Sequence, residues 1–490
     1  MNDDLSLYWI EAAVLVAAVG SLCVTRVRDP LRAWRCGLAL TAFALVFSVL
    51  AGLEFFWHWP SGGNGQWHEQ LRPWGSEWFG IDELSAPLFP LLALLHFFTV
   101  FATGRTKVRR FSLSLSLAAL AVGLATFACQ EARVLIGLLA SGVVLQALEL
   151  RNRKKPMRLF LLHMAAFLGL LVFGWSNVDP LAAGHMQSAW ATIPVAAAIL
   201  IRCGAIPAHC WITDWFEQAS FGNGMLFVAP LGGLYAAVRL LVPIAPDWVL
   251  QSVGLISLIT AGYAAGMAAM QTDARRFFAY LLVSNTAMIL VGLELHTDVS
   301  LSGALALWIS AALSLAGLGL TLRALEARFG ELSLTRFHGL YEHSPMLAVC
   351  FLLTGLASVG FPGTFGFVAS ELLIDGAVEA NLLVGLAVAM ATAINGIAIV
   401  RAYFCLFTGT RHYSTVSLGM NVRERWAVLT LSLAILGGGL FPQPMIASRF
   451  RAANSVLESR GMPLERAREL RRGGGEVIGV QALNESGEMR

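Results

Sequence analysis

The sequence predicts an all-α polytopic membrane protein of about fourteen transmembrane helices, with the seventh and twelfth broken inside the bilayer. Three observations point there. Of 490 residues, 57% are hydrophobic and only 13% charged, more apolar surface than a single soluble core can hold. The apolar residues gather into runs of about 20, the length that crosses a hydrocarbon core as a helix. The segments between these runs alternate in Lys and Arg content, as the positive-inside rule requires when spans are correctly placed.

In chain order, the runs place helices at 7–25, 33–53, 84–104, 110–129, 132–149, 157–175, 189–214, 221–243, 249–270, 276–293, 301–326, 344–376, 382–408 and 425–444. The first follows Asp3 and Asp4 rather than a basic stretch and has no small-residue cleavage pattern behind it, so a retained helix is expected. Basic loops at 26–36, 105–110, 150–158, 273–276, 323–343 and 409–425 fall on one side, the cytoplasmic one, whereas the opposite loops carry only Arg72 and Arg133. Both termini then lie on the non-cytoplasmic face, even though the segment after 445 is rich in arginine (Arg449, Arg451, Arg460, Arg466, Arg468, Arg471 and Arg472). The external stretch 54–80 sets Trp57, Trp59, Trp67, Trp74 and Trp78 among glycines, the composition of an interfacial lid or re-entrant segment.

The two broken helices are five spans apart, and an odd offset reverses orientation. Helices 4–8 and 9–13 are therefore expected to form an inverted five-helix repeat with the breaks in equivalent places. This divides the chain into 1–109 (three helices and the Trp-rich loop), 110–243 and 249–408 (the two repeats), 409–445 (the last loop and helix) and a polar tail, 446–490. From 461 onward the tail is polar, glycine-interrupted and poor in aromatics, a composition that stays disordered or folds only against a partner.

Candidate chemistry concentrates at the first break. An apolar run meets Arg202, Gly204 and Pro207 and continues through His209, Trp211, Asp214 and Glu217. An arginine at mid-membrane costs about 2.5–3.5 kcal/mol on insertion scales, so it demands a partner or a wet cavity. Arg202 cannot titrate usefully, but it can fix the field around a neighbouring carboxylate or bind an anion. His209 titrates near neutrality and is the first choice for a proton-carrying side chain; anchoring the lower half-helix at the interface is the competing reading. The second break, around Gly360 and Gly363, is followed by Glu371, which suits either the ion path or the capping of a new helix start. Asn285 and Asn395 complete the expected ion pathway with Arg202, His209, Asp214, Glu217 and Glu371, as polar groups able to hold water inside apolar helices. Arg239 and Arg401, near helix ends, are expected to snorkel.

The seven cysteines form no CxxC, and Cys203 and Cys210 beside His209 lack metal-site spacing, so packed thiols are expected rather than zinc. No GxxxxGK[ST], no GxGxxG with a following acid and no cysteine quartet is present. The chain is expected to carry no cofactor and no nucleic-acid site, and to take its energy from a partner. The exposed combination of Trp215 and Phe216 beside Asp214 and Glu217 is read as a protein interface or as a helix lying in the headgroups.

RCGAIPAHCWITDWFEQAS at 202–220 and GGLYAAVR at 232–239 resemble the seventh and eighth helices of the proton-conducting antiporter-like subunits of respiratory complex I, membrane hydrogenases and multi-subunit sodium/proton antiporters. TDARRFFAYLLVSN at 272–285, GLASVGFPGTFGFVASELL at 355–373 and FGIDELSAP at 79–87 resemble further signatures of that family, in the same order. The resemblance implies fourteen helices, the inverted repeat and both breaks. It also exposes departures: Arg202 stands at the family's broken-helix Lys, Leu139 at its fifth-helix Glu, Leu231 at its eighth-helix Lys, and Trp308, Ala312 and Ala316 at its eleventh-helix His and Lys pattern. The resulting expectation is a subunit of the bacterial inner membrane that conducts or couples protons or sodium ions together with at least one other subunit, a large cytoplasmic one. The membrane half of the two-component inorganic-carbon uptake system is the leading version. A redox-driven complex I-like or hydrogenase-like subunit and a non-conducting anchor are the alternatives.

Overall fold

The computed structural model describes residues 8–57, 78–104, 111–179, 186–228, 232–295, 297–409 and 421–460. Trp59, Trp67, Trp74, Leu231 and the tail beyond 460 lie outside the described residues. The order is α1 (Trp9–Arg26), α2 (Pro30–Trp57), α3 (Leu88–Phe101), α4 (Leu113–Ala128), α5 (Ala132–Asn152), α6 (Arg158–Ser176), α7 (Ala189–Cys203), α8 (Cys210–Gln218), α9 (Phe221–Val228), α10 (Gly232–Ala236) with a π-helical turn Ala237–Leu241, α11 (Asp247–Met270), α12 (Ala274–Glu294), α13 (Asp298–Phe329), α14 (Pro345–Ala357), α15 (Phe365–Ala380), α16 (Leu382–Phe407), α17 (Val422–Leu440) and α18 (Gln443–Ser459). Among the described residues, β structure is limited to isolated bridges, Phe79 with Cys129 and Asp273 with Ser333. Among the described residues, nine helical segments are long and apolar enough to cross a bilayer, and α3, α4, α7 and α14 are shorter apolar helices.

Helix starts carry their own chemistry. The Asp273 carboxylate accepts from the amides of Arg275 and Arg276 at the start of α12 (2.8 and 3.1 Å), Thr297 caps α13 through the Ser300 amide (3.1 Å), and Asn421 and Glu424 form a capping box on α17. The core is built around α13, buried along nearly its whole length and packed by α12, α14, α15, α17 and α18. Lipid offers no solvent-driven squeeze between helices, so such contacts depend on small residues that let backbones close up. Gly303 is the clearest case: a Cβ there would lie 2.5 Å from the Leu373 backbone nitrogen on α15.

Both expected interruptions are present, at 204–209 between α7 and α8 and at 358–364 between α14 and α15. The eighth run, Phe221–Leu241, ends in the π-turn Ala237–Leu241. A larger difference is at the C-terminal end. Where the sequence reading begins a polar tail at 446, the chain bends by 79° after α17 and forms α18, an amphipathic helix laid against α13. Its buried Arg449 donates to the carbonyls of Leu84 (3.1 Å) and Glu83, Ser448 donates to the Glu83 carboxylate (3.1 Å), and Arg451 pairs with that carboxylate at 2.7 Å. Arg460, at the end of α18, pairs with Asp247 at 2.7 Å. Residues 83–84 and 247 belong to the loops opposite the basic ones, so α18 lies at the end of the bundle away from those basic loops.

Arg239 does not snorkel. Its guanidinium pairs with Asp82 at 2.7 Å and donates to the Tyr235 hydroxyl at 3.1 Å, which itself donates to the carbonyls of Phe127 (3.0 Å) and Cys129 (3.1 Å). Burial pushes the Asp82 carboxyl up, but Arg239 and the Ser85 amide and hydroxyl outweigh it and hold the group below the usual carboxylate range.

Ala447 and Ser459 are exposed on α18. Cysteines placed at either should react with a membrane-impermeant maleimide only from the non-cytoplasmic side, and one in the 150–158 loop only from the cytoplasm. Arg449→Ala, which leaves two carbonyls and the Ser448 hydroxyl short of a donor, should cost about 1–3 kcal/mol, read as a lowered thermal midpoint of the purified protein.

Candidate functional site

The α7–α8 break is made by residues that cannot continue a helix. Gly204 closes α7 in the left-handed region, φ 72°, and the Gly204 and Ala205 amides donate back to Ile201 (3.1 Å) and Leu200 (2.8 Å). Only glycine suits this point, since a Cβ would also run into the Ile212 side chain. Pro207 removes a further amide. The backbone groups left over at this depth are met by side chains. The Trp211 indole donates to the Ile201 carbonyl at 2.8 Å, and the Ile206 amide donates to the Thr260 hydroxyl of α11 at 3.1 Å.

Arg202 is buried, yet among the described residues no carboxylate pairs with it. Its guanidinium lies 4.2 Å from the Phe227 ring centre and 5.5 Å from that of Trp211, and it donates to the Phe227 carbonyl at 3.3 Å. Phe160 and Trp215 complete an aromatic box with these two rings. The cation is thus held by ring faces rather than by an anion, a contact that strengthens on desolvation. His209 turns the other way, 5.2 Å from the Tyr263 ring of α11 and 6.0 Å from the Tyr280 ring of α12. Arg202 therefore does not face His209, and the break sends its cation toward α9 and its imidazole toward α11 and α12.

From the break a row of hydrogen bonds crosses the second half of the protein. The Thr260 hydroxyl that receives Ile206 donates to the Ile256 carbonyl (2.7 Å); one residue on, the Ala261 carbonyl accepts from Ser284 of α12 (2.9 Å), whose hydroxyl accepts from the Asn395 amide of α16 (2.8 Å). Asn285 donates to its own helix at Leu281 (2.9 Å), and the amide oxygens of Asn285 and Asn395 are buried without a protein partner. Buried polar atoms of that kind are where ordered water sits in proteins.

The remaining expected pathway residues lie apart from this row. Glu217 pairs with Arg276 at the basic end of α12, next to the two-pronged pair of Arg275 with Glu326 at 2.6 and 2.8 Å. Asp214 is half-buried one turn before Glu217. Glu371 and Asp375 are exposed on one face of α15, with no partner among the described residues. Trp215 and Phe216, read from the sequence as an exposed interface, are fully buried, because Phe160, Phe227, Phe221 and Phe278 close over them. Sequence reasoning missed Thr260 and Ser284; a hydroxyl in an apolar helix gives no local signal, since it back-bonds to its own turn as readily as it bridges.

Residues 157–395, which hold the break and the row, match the family described as NADH:quinone oxidoreductase/Mrp antiporter, transmembrane. These residues belong to that family. NADH-quinone oxidoreductase subunit 13 of Thermus thermophilus is 28% identical over 372 residues, 70% of this chain and 78% of its own length. NAD(P)H-quinone oxidoreductase chain 4 3 of Trichormus variabilis is 24% identical over 487 residues, 89% of this chain and 88% of its own. A chain of Thermus thermophilus respiratory complex I superposes with TM-score 0.78 at 20% identity, covering 92% of this chain and 99% of that one. A chain of the Mrp complex from Dietzia sp. superposes with TM-score 0.77 at 16% identity, covering 94% and 100%. The antiporter-type fold is therefore shared from end to end of those chains, while Arg202 is kept at its break by aromatic rings.

Trp211→Phe keeps the ring beside Arg202 but deprives the Ile201 carbonyl of its donor, at an expected cost of about 1 kcal/mol. Gly204→Ala adds a disfavoured φ to a clash and should cost more, about 1–3 kcal/mol. Thermal unfolding of the two detergent-purified variants should rank them in that order.

Proposed function

We propose that this chain is the ion-coupling membrane subunit of a multi-subunit complex, passing protons or cations along the polar row between the α7–α8 break and α16. The observation that carries the reading is that row: the mutually packed helices α11, α12 and α16 place Thr260, Ser284 and Asn395 in register with a break in α7–α8. Amide oxygens at Asn285 and Asn395 add sites for water, and water joined to hydroxyls and amides relays protons without a titrating side chain. A second subunit is supported by Glu371 and Asp375, carboxylates on the outer face of an apolar helix that lipid alone leaves unsatisfied.

The partner we favour is a large cytoplasmic protein that accumulates inorganic carbon, the chain energising it from the bacterial inner membrane. This rests on the sequence resemblance and on the replacement of the family's Glu and Lys positions by Leu139, Leu231 and Arg202.

Asn395→Leu tests conduction with little structural damage, because Ser284 keeps its bond to Ala261 and no donor is left unpaired. Proton flux into vesicles should fall at least about tenfold, with abundance unchanged; undiminished flux removes the row from the mechanism. Arg202→Ala should abolish coupled flux and Arg202→Lys should retain part of it. Mass spectrometry of what co-purifies with the tagged chain identifies the partner: a large zinc-site protein supports the inorganic-carbon reading, and quinone- or hydrogenase-linked subunits overturn it.

A further inference from the structure

A second polar cluster lies in the first half of the protein, away from the break and the row. His96 of α3, Ser116 of α4, Gln146 and Glu149 of α5 and Asn223 of α9 line one small cavity of about 10 Å3, the space that a single water centre needs. All five side chains are more than nine-tenths buried. Four of their atoms have no hydrogen-bond partner in the protein: His96 Nε2, Ser116 Oγ, Glu149 Oε1 and Asn223 Oδ1. One orphaned polar atom in a core is ordinary; four converging from four helices on one cavity make a site for a guest.

The chemistry of these atoms specifies the guest. His96 Nδ1 is 3.0 Å from the Leu92 carbonyl, which can only accept, so Nδ1 carries a hydrogen and the Nε2 of the neutral ring is a lone pair. An ionised Glu149 and the Asn223 carbonyl oxygen are also acceptors, so of the four orphaned atoms only Ser116 Oγ can donate. Three acceptors against one hydroxyl call for a guest rich in donors. A sodium ion wants a cage of oxygens, and an imidazole nitrogen is a poor member of one. Water carrying an exchangeable proton fits all four.

We infer that this cavity is a proton-loading site in which Glu149 and His96 share one proton through a bound water. In the step, the proton leaves a Glu149 O–H for the water while the water gives one of its own to His96 Nε2: the Glu149 O–H breaks, the His96 N–H forms, the water gains one O–H and loses another, and no other reactant is consumed. The charged groups around the pair are few. Arg153 reaches within 3.9 Å of Glu149 Oε1, and Arg323 of α13 stands beside Gly222, next to Asn223, held by the Thr99 carbonyl (3.0 Å) and the Thr103 hydroxyl (2.8 Å). Helices α4 and α9 bring no charge. Glu149 lies one turn from the end of α5 that enters the basic 150–158 loop, which puts the cavity mouth on the cytoplasmic side.

The test reads proton occupancy and not flux, so it stands or falls separately from conduction along the row. Infrared difference spectra of the full chain, in its complex and reconstituted in lipid, are recorded between low and high pH. The expected result is a protonated-carboxyl band that shifts promptly in heavy water, vanishes in Glu149→Gln and persists at a moved frequency in Glu149→Asp. In His96→Gln its frequency moves, because the water on the carboxyl loses the ring nitrogen as an acceptor. Loss of the band in both Glu149 variants with a lowered thermal midpoint, an unmoved band in His96→Gln, or a band displaced by sodium at constant pH each overturns the proposal.

Discussion

The bilayer core supplies no water to a broken helix, and the interruption between α7 and α8 is built around that constraint. Three groups at the break have named recipients: Ile201 O receives the Trp211 indole, Ile206 N gives to Thr260, and the Arg202 charge rests on Phe227 and Trp211. The packing of the neighbourhood follows. Thr260 serves the break only if α11 lies against α7, and Phe227 covers the guanidinium only if α9 folds back beneath α8. A helix interruption that looks like a weakness in the sequence thus sets the positions of two other helices, α9 and α11.

The same break divides the protein chemically. On one side are aromatic rings around a fixed cation; on the other are hydroxyls and amides around His209, Tyr263 and Tyr280. A guanidinium held by ring faces stays charged and still, so it can bias a pathway electrostatically while carrying nothing itself. The groups beyond it, Thr260, Ser284 and Asn395, neither gain nor lose protons. The proposed transport through such a row would depend on water and on the order of its hydrogen bonds, which distinguishes it from a relay of lysines and acids.

What the sequence makes legible is what violates the rules of a membrane helix. Arg202, Gly204 and Pro207 interrupt an apolar run and announce the break; Gly360 and Gly363 do the same for the second one. Residues that obey local rules stay silent. Ser284 and Thr260 are ordinary helix residues until α16 and the broken helix come alongside. Trp215 and Phe216 look like an exposed amphipathic edge, and only the arrival of Phe160 and Phe278 from distant helices buries them. Glu149 falls at the boundary of an expected span, where a carboxylate next to basic residues reads as loop. Helix α18 is hidden by its polarity, since a helix that lies along the surface lacks the uninterrupted apolar run that marks a crossing one.

That last helix bears on how the protein is made. Ser448 and Arg449 meet Glu83 and Leu84 across about 365 residues of chain. During synthesis the early loop is made long before its partners exist, and its carboxylate and carbonyls must wait in water. The bundle is therefore closed by a segment delivered after all the helices α1–α17, like a strap drawn over a finished package. A chain cut short before α18 would hold those helices with Glu83 and Leu84 left without Ser448, Arg449 and Arg451.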